Sequence, residues 1–181
     1  MSPTKLLQNF LNTAKKVQET TNLFVQEVSS YIFILSCKPV EKEDNIALTL
    51  SAAIHGDEIG GIVVLTKLLE EIKNNPLLAK KPLCFAIGNP EAVKKQTRFI
   101  EQDLNRSFGL PVQTKTLEEQ RAKCLEKVFR KTSLFLDFHQ TRQNTPEAFF
   151  IFPYSKKRTA FANYLNTSLK IITHWGQRFS K

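Results

Sequence analysis

Ala47-Leu48-Thr49-Leu50-Ser51-Ala52-Ala53-Ile54-His55-Gly56-Asp57-Glu58 decides the fold. Residues 47–54 form a short, predominantly apolar run of the kind that crosses a sheet buried on both faces. His55-Gly56 closes it. From Glu58 onward the period changes: Ile62, Leu65, Leu68, Leu69 and Ile72 fall on one stripe of a helix, which Asn74-Asn75-Pro76 stops.

The same alternation extends outward in both directions. Leu83–Ile87 is a second buried strand, closed by Gly88-Asn89-Pro90, and Leu134–Phe138 a third; Phe149–Phe152 is a fourth. Val25–Ser36 is rich in aromatic and β-branched residues and reads as strand broken near Ser29-Ser30. Residues 4–20 place Leu6, Leu7, Phe10, Leu11, Ala14 and Val17 at helical spacing. Leu117–Thr132 is a charged surface helix with Ala122, Leu125, Val128 and Phe129 inward, and 157–170 is a weaker one. Glu41–Asp44 follows Pro39 as a turn, while 91–115 lacks any sustained period and reads as an ordered functional loop with at most short helices. Strands alternating with helices imply an α/β sandwich whose central sheet is mostly parallel or mixed. At 181 residues one domain is expected.

Hydrophobic content of 41% and charged content of 24% are those of an ordinary globular protein. No apolar run approaches the roughly 20 residues that span a bilayer, and Lys15-Lys16 interrupt any signal-peptide reading of the amphipathic start. Cys37, Cys84 and Cys124 are odd in number and set among apolar residues, as in a reduced cytoplasmic protein. The net charge of +9 raises nucleic acid as a partner, but the basic pairs are scattered among acidic groups and no basic helix or zinc finger accompanies them. A small anionic substrate uses the same positive field, and most of the lysines simply solvate helix faces. Neither nucleic acid nor membrane is expected as a partner; oligomeric state leaves no trace in the sequence.

In open α/β sheets, ligands gather beyond the carboxyl ends of strands. His55 and His139 stand at two such ends, and Gly56 allows a turn tight enough for Glu58 to point back from the start of its helix. Two imidazoles and a carboxylate are the ligands of a catalytic zinc. The same set also suits non-haem iron, so the donors alone leave the metal open. The α/β pattern and the polar segment 97–106, suited to holding an anion, favour zinc hydrolysis. The His-Glu-x-x-His motif of other zinc hydrolases is absent. Asp137 lies on the same strand face as His139; it either accepts an imidazole N–H, from His55, or is a buried carboxylate bound to backbone. His174, in the tail beside Trp175, is read as structural.

His55-Gly56-Asp57-Glu58, Gly88-Asn89-Pro90-Glu91-Ala92-Val93-Lys94-Lys95, Thr97-Arg98-Phe99-Ile100, Asp103-Leu104-Asn105-Arg106-Ser107-Phe108 and Asp137-Phe138-His139 occur in that order over roughly residues 45–145. Together they resemble the succinylglutamate desuccinylase/aspartoacylase family, relatives of the zinc carboxypeptidases. The resemblance implies a zinc carboxypeptidase-like α/β fold, with one zinc per chain held by His55, Glu58 and His139. It implies that Arg98 polarises the scissile carbonyl and that Asn105 and Arg106 hold a substrate carboxylate. The implied reaction is attack of zinc-bound water on the amide of an acidic N-acyl amino acid. The family also has a smaller β-rich second domain and a glutamate general base in a Glu-Leu-Gly-like context. Neither has a counterpart here: Glu147 is the only acidic residue after His139, and Pro146-Glu147-Ala148 does not match. The chain therefore reads as a C-terminally shortened member with impaired activity. The alternatives are an inactive zinc- or ligand-binding remnant of the fold, or a carboxypeptidase acting on short peptides.

Overall fold

The computed structural model describes residues 1–41, 44–110, 115–141, 149–151, 155–165 and 170–172. By contacts the chain divides into two compact units, Met1–Gln140 and Thr141–Lys181, where length suggests one.

The first unit opens with helix α1 (Pro3–Thr20), started by the Ser2 side chain, which accepts from the Lys5 N–H, and by Pro3 at its first position. Strands β1 (Phe24–Ser29) and β2 (Ile32–Ser36) form an antiparallel hairpin that turns through Tyr31 at φ +62°. There follow β3 (Ile46–Ala52), α2 (Gly60–Asn74), a 3-10 turn at Pro76–Ala79, β4 (Leu83–Ile87) and the short α3 (Pro90–Lys95). After the loop come α4 (Leu117–Phe129) and β5 (Thr132–Phe138). The sheet order is β1-β2-β4-β3-β5. β2 runs antiparallel to β4, whereas β3 is parallel to both of its neighbours, so the sheet is mixed.

Alternation along the strands divides the core into two layers, because successive side chains leave opposite faces. Phe33 and Leu35 of β2, Leu50 and Ala52 of β3, and Phe85 and Ile87 of β4 pack with α1 and α2. Ile32, Ile34, Cys84 and Ala86 point the other way, toward Ala122, Leu125 and Val128 of α4. This is the helix–sheet–helix sandwich the sequence predicts.

Several expectations need correction. Leu134–Phe138 reads as a buried strand, but β5 is the sheet edge and Phe135 is 47% exposed. The helix after His55 begins at Gly60, leaving Glu58 in the preceding turn. The helix read to Thr132 ends at Phe129, because Thr132 already pairs with Ile46. In the second unit, β6 (Phe149–Ile151) and β7 (Lys170–Ile172) form a parallel pair linked through α5 (Lys156–Leu165), so the helix expected over 157–170 stops early. Phe152, Glu147 and His174 lie outside the described residues. Among those described, no helix is long and apolar enough to cross a membrane.

Phe10 is fully buried and meets Phe33 at a ring-centroid distance of 5.8 Å. Phe10→Ala is expected to cost about 3–5 kcal/mol of unfolding free energy, read as a lower urea midpoint at unchanged slope.

Candidate metal centre

The parallel register sets the site. Ala52 of β3 pairs with Phe138 of β5, so the residues that follow each strand emerge at one sheet edge. Beyond Ala52 the chain turns at Ala53, held at φ +55°, a conformation that a residue with a Cβ keeps only when its surroundings enforce it. Gly88 and Asn89 supply that enforcement by donating their N–H groups to the carbonyls of Ala52 and Ala53. His55 is then buried, 3% exposed. Gly56 passes so close to α3 and the following loop that a Cβ would stand 2.2 Å from the Ala92 carbonyl carbon and 2.5 Å from the Thr97 carbonyl oxygen. Its N–H donates to the Arg98 carbonyl, tying the turn to the loop. The Glu58 N–H returns to the His55 carbonyl, which aims the Glu58 carboxylate back at the strand end.

Glu58 joins the two histidines. Its Oε1 lies 2.8 Å from His55 Nδ1 and its Oε2 2.8 Å from His139 Nδ1. The three ligand atoms of His55, Glu58 and His139 all lie within 4.8 Å of one another. Burial pushes the Glu58 carboxyl up, but hydrogen bonds from His139, His55 and the Gln140 N–H outweigh it and hold the group far below the usual carboxylate range. Burial pushes His139 down, and the carboxylates of Asp137 and Glu58 reverse this and raise it to about 10. The centre therefore favours positive charge at the Nδ1 face of the rings.

Each imidazole has a second carboxylate behind it. His139 Nε2 lies 2.6 Å from Asp137 Oδ2, and His55 Nε2 lies 3.1 Å from Asp103 Oδ1. With Nε2 held as a donor, each ring would present its Nδ1 lone pair to an ion that displaced the proton now shared with Glu58, the tautomer a metal ligand needs. Asp137 was expected to accept from His55; its carboxylate lies instead against His139, two residues on. Its other oxygen accepts from Ser51, its partner in β3. Asp103, which serves His55, was read only as part of the polar segment.

The loop brings the remaining predicted residues alongside. Arg98 Nη1 lies 3.3 Å from Glu58 Oε1. Asp103 caps a 3-10 turn (Leu104–Arg106) by accepting from the Asn105 N–H, and Asn105 Nδ2 lies 3.4 Å from His55 Nε2. Arg106 is exposed and forms no ion pair among the described residues. Gln140 was also missed. Its side chain accepts from the Gly60 N–H at 2.7 Å and so caps α2, whose adjoining residue Ile59 has no capping side chain.

The model of the succinylglutamate desuccinylase/aspartoacylase catalytic domain matches residues 44–177. The succinylglutamate desuccinylase of Pseudomonas putida (strain GB-1) is 37% identical over 134 residues, which are 68% of this chain and 40% of that protein. The chain thus spans about 40% of the length of this relative. Among solved structures, the succinylglutamate desuccinylase of Chromobacterium violaceum superposes with a TM-score of 0.69 at 20% identity, covering 94% of this chain and 62% of that one. A metallo-carboxypeptidase from Pseudomonas aeruginosa, in complex with (2-guanidinoethylmercapto)succinic acid, gives 0.62 at 17% identity, covering 94% and 51%. At these identities the structural likeness is one of fold.

Gly56→Ala drives a methyl group into two backbone carbonyls that no side-chain rotation relieves. It is expected to cost roughly 3 kcal/mol or more in urea unfolding, against a few tenths for Gly109→Asn at an open loop position.

Proposed function

The chain belongs to the succinylglutamate desuccinylase/aspartoacylase catalytic-domain family, and on that premise we propose that it is a zinc-dependent hydrolase cleaving the amide bond of an acidic N-acyl amino acid. The observation that carries this reading is the convergence of His55, Glu58 and His139 on one point, with both rings turned to offer Nδ1. Two imidazoles and one carboxylate, with further carboxylates behind both rings, fit the donor chemistry of zinc held with an open position. These three residues would hold one ion per chain. When bound, zinc supplies Lewis acidity, activating water near neutral pH and polarising a carbonyl.

The chain's own groups complete the chemistry. Arg98, beside Glu58, would donate to the amide oxygen as negative charge develops on it. Arg106, with its guanidinium open to solvent, and Asn105, adjacent to it, would receive a substrate carboxylate, the planar fork and the amide offering parallel donors. The net charge of +9 draws in such an anion from a distance. The relative's name makes N-succinylglutamate the first substrate to try. Because the family match runs through both compact units, we read them as one catalytic domain. The three free cysteines suit a reducing compartment, and we place the protein in the cytoplasm.

A second reading, binding without turnover, is favoured by one feature. Glu58, Asp103 and Asp137 are each committed to an imidazole, so the carboxylate that must take a proton from water is none of these three.

Metal content and turnover separate the readings. The zinc-loaded chain is expected to carry one ion, measured by mass spectrometry of the metal. His55→Ala or His139→Ala should lose affinity by roughly a hundredfold or more in a competition with a chromophoric chelator. Chelator-sensitive release of succinate from N-succinylglutamate supports the hydrolase, and zinc binding without release supports the second reading. A folded chain that takes up no zinc overturns both.

A further inference from the structure

Glu118 stands in the first turn of α4, within a charged stretch, yet it is 1% exposed. Its carboxylate faces four donors. Oε1 accepts from the Ile100 N–H at 2.7 Å and from Asn89 Nδ2 at 3.0 Å, and Oε2 from the N–H groups of Glu101 and Gln102 at 3.3 and 3.4 Å. Three successive backbone donors thus converge on one side chain, midway between Arg98 and the Asn105-Arg106 pair. The contact with Asn89 extends this anchor to the strand end, because Asn89 also caps α3 and donates its N–H to the strained Ala53.

The rest of α4's first turn closes around the same segment. Gln102 Nε2 lies 3.0 Å from Thr116 Oγ1 and 3.1 Å from Glu119 Oε1, while Glu101 accepts from the Leu117 N–H at 2.6 Å. One turn on, Arg121 donates to the carbonyls of Gly88, Ile87 and Ser30. α4 therefore holds the loop with a carboxylate and the end of β4 with a guanidinium. Burial pushes the Glu118 carboxyl up, and the hydrogen bonds from Ile100, Asn89 and Glu101 outweigh it, so the group stays ionised.

We propose that Glu118 is a positioning residue for anion recognition: by gathering the N–H groups of 100–102 it sets where Arg98 and the Asn105-Arg106 pair stand relative to His55 and Glu58. The proposal rests on the hydrolase reading for the identity of the anion, but not for the anchoring itself. None of the three metal-ligand candidates is touched by Glu118, so zinc uptake and substrate recognition respond differently to its loss. A purely structural residue would weaken both through unfolding alone.

The test compares Glu118→Gln, which keeps the shape and removes the charge, with Leu69→Ala, a buried change in α2 whose apolar cluster includes no residue of the loop 97–110. Both zinc-loaded variants are titrated with N-succinylglutamate at a temperature where circular dichroism shows them folded. Glu118→Gln is expected to bind roughly ten- to a hundredfold more weakly while its zinc affinity stays within about tenfold, and Leu69→Ala to bind as the parent does. Amide exchange at 100–102 should quicken at least about tenfold in Glu118→Gln and not in Leu69→Ala, relative to each protein's slowest amides. Unchanged affinity and exchange in Glu118→Gln, or equal effects in the two variants, overturn the proposal. Should the parent fail to bind N-succinylglutamate, the hydrolase reading fails, and the exchange measurement still decides whether Glu118 holds the loop. Should Glu118→Gln not fold, Glu118→Asp, which keeps the charge but shortens its reach, takes its place with the same expected directions.

Discussion

Glu58 bridges two imidazoles that the chain supplies from positions 55 and 139, one carboxylate oxygen to each Nδ1. The bridge forms because β3 and β5 run parallel, with Ala52 opposite Phe138, so both strands deliver their next residues to one edge. A register slip of one residue would turn the side chains of β5 to the opposite face and would part the two rings. That register is fixed by burial on β3 and by Ser51 reaching across to Asp137. The centre is thus a consequence of strand pairing first and of side-chain chemistry second.

Electrostatics then decides what the centre wants. Glu58, Asp103 and Asp137 crowd around His55 and His139, with Arg98 the one permanent cation in contact among the described residues. Taking carboxylates out of water is costly unless positive charge compensates them. The same imbalance that raises His139 raises the affinity of its Nδ1 face for any cation. Gln140 strengthens the arrangement without charge: its N–H donates to Glu58 while its side chain caps α2, so the end of β5 and the start of α2 are fastened by one residue.

Much of this was legible beforehand, and the rest was hidden for identifiable reasons. β3, β4 and the stripe of α2 could be read because both faces of the central strands are buried and the helical period follows at once. The candidate metal ligands stood out because histidine is scarce, with three in the chain, and two of them end apolar runs. β5 was misjudged because an apolar run does not tell a central strand from an edge; Phe135 is covered partly by the tilted ring of Phe129, with centroids 4.7 Å apart. Asp103 and Glu118 were overlooked because their partners lie 48 and 18 residues away across a loop with no period. In sequence, Glu118 looks like its exposed neighbours on a charged helix. It is buried because the loop folds back over the helix's first turn.

The two faces of the sheet carry unequal duties. On one, α1 and α2 close over Phe33, Leu35, Phe85 and Ile87 in a deep apolar layer, and residues before position 44 contribute much of it. On the other, Ala122, Leu125 and Val128 of α4 meet a smaller set that includes Cys84 and Ala86. Yet it is α4 that grips the loop bearing Arg98, Asp103, Asn105 and Arg106. A lighter apolar layer opens more readily, since local stability follows the apolar surface that an opening exposes. Polar anchoring by Glu118 and Arg121 is therefore concentrated on the side where burial alone holds least, leaving His55 and Glu58 on the firmer scaffold of β3 and the turn before α2. The proposed recognition groups thus sit on the lighter layer, and His55 and Glu58, two of the three candidate metal ligands, on the heavier one.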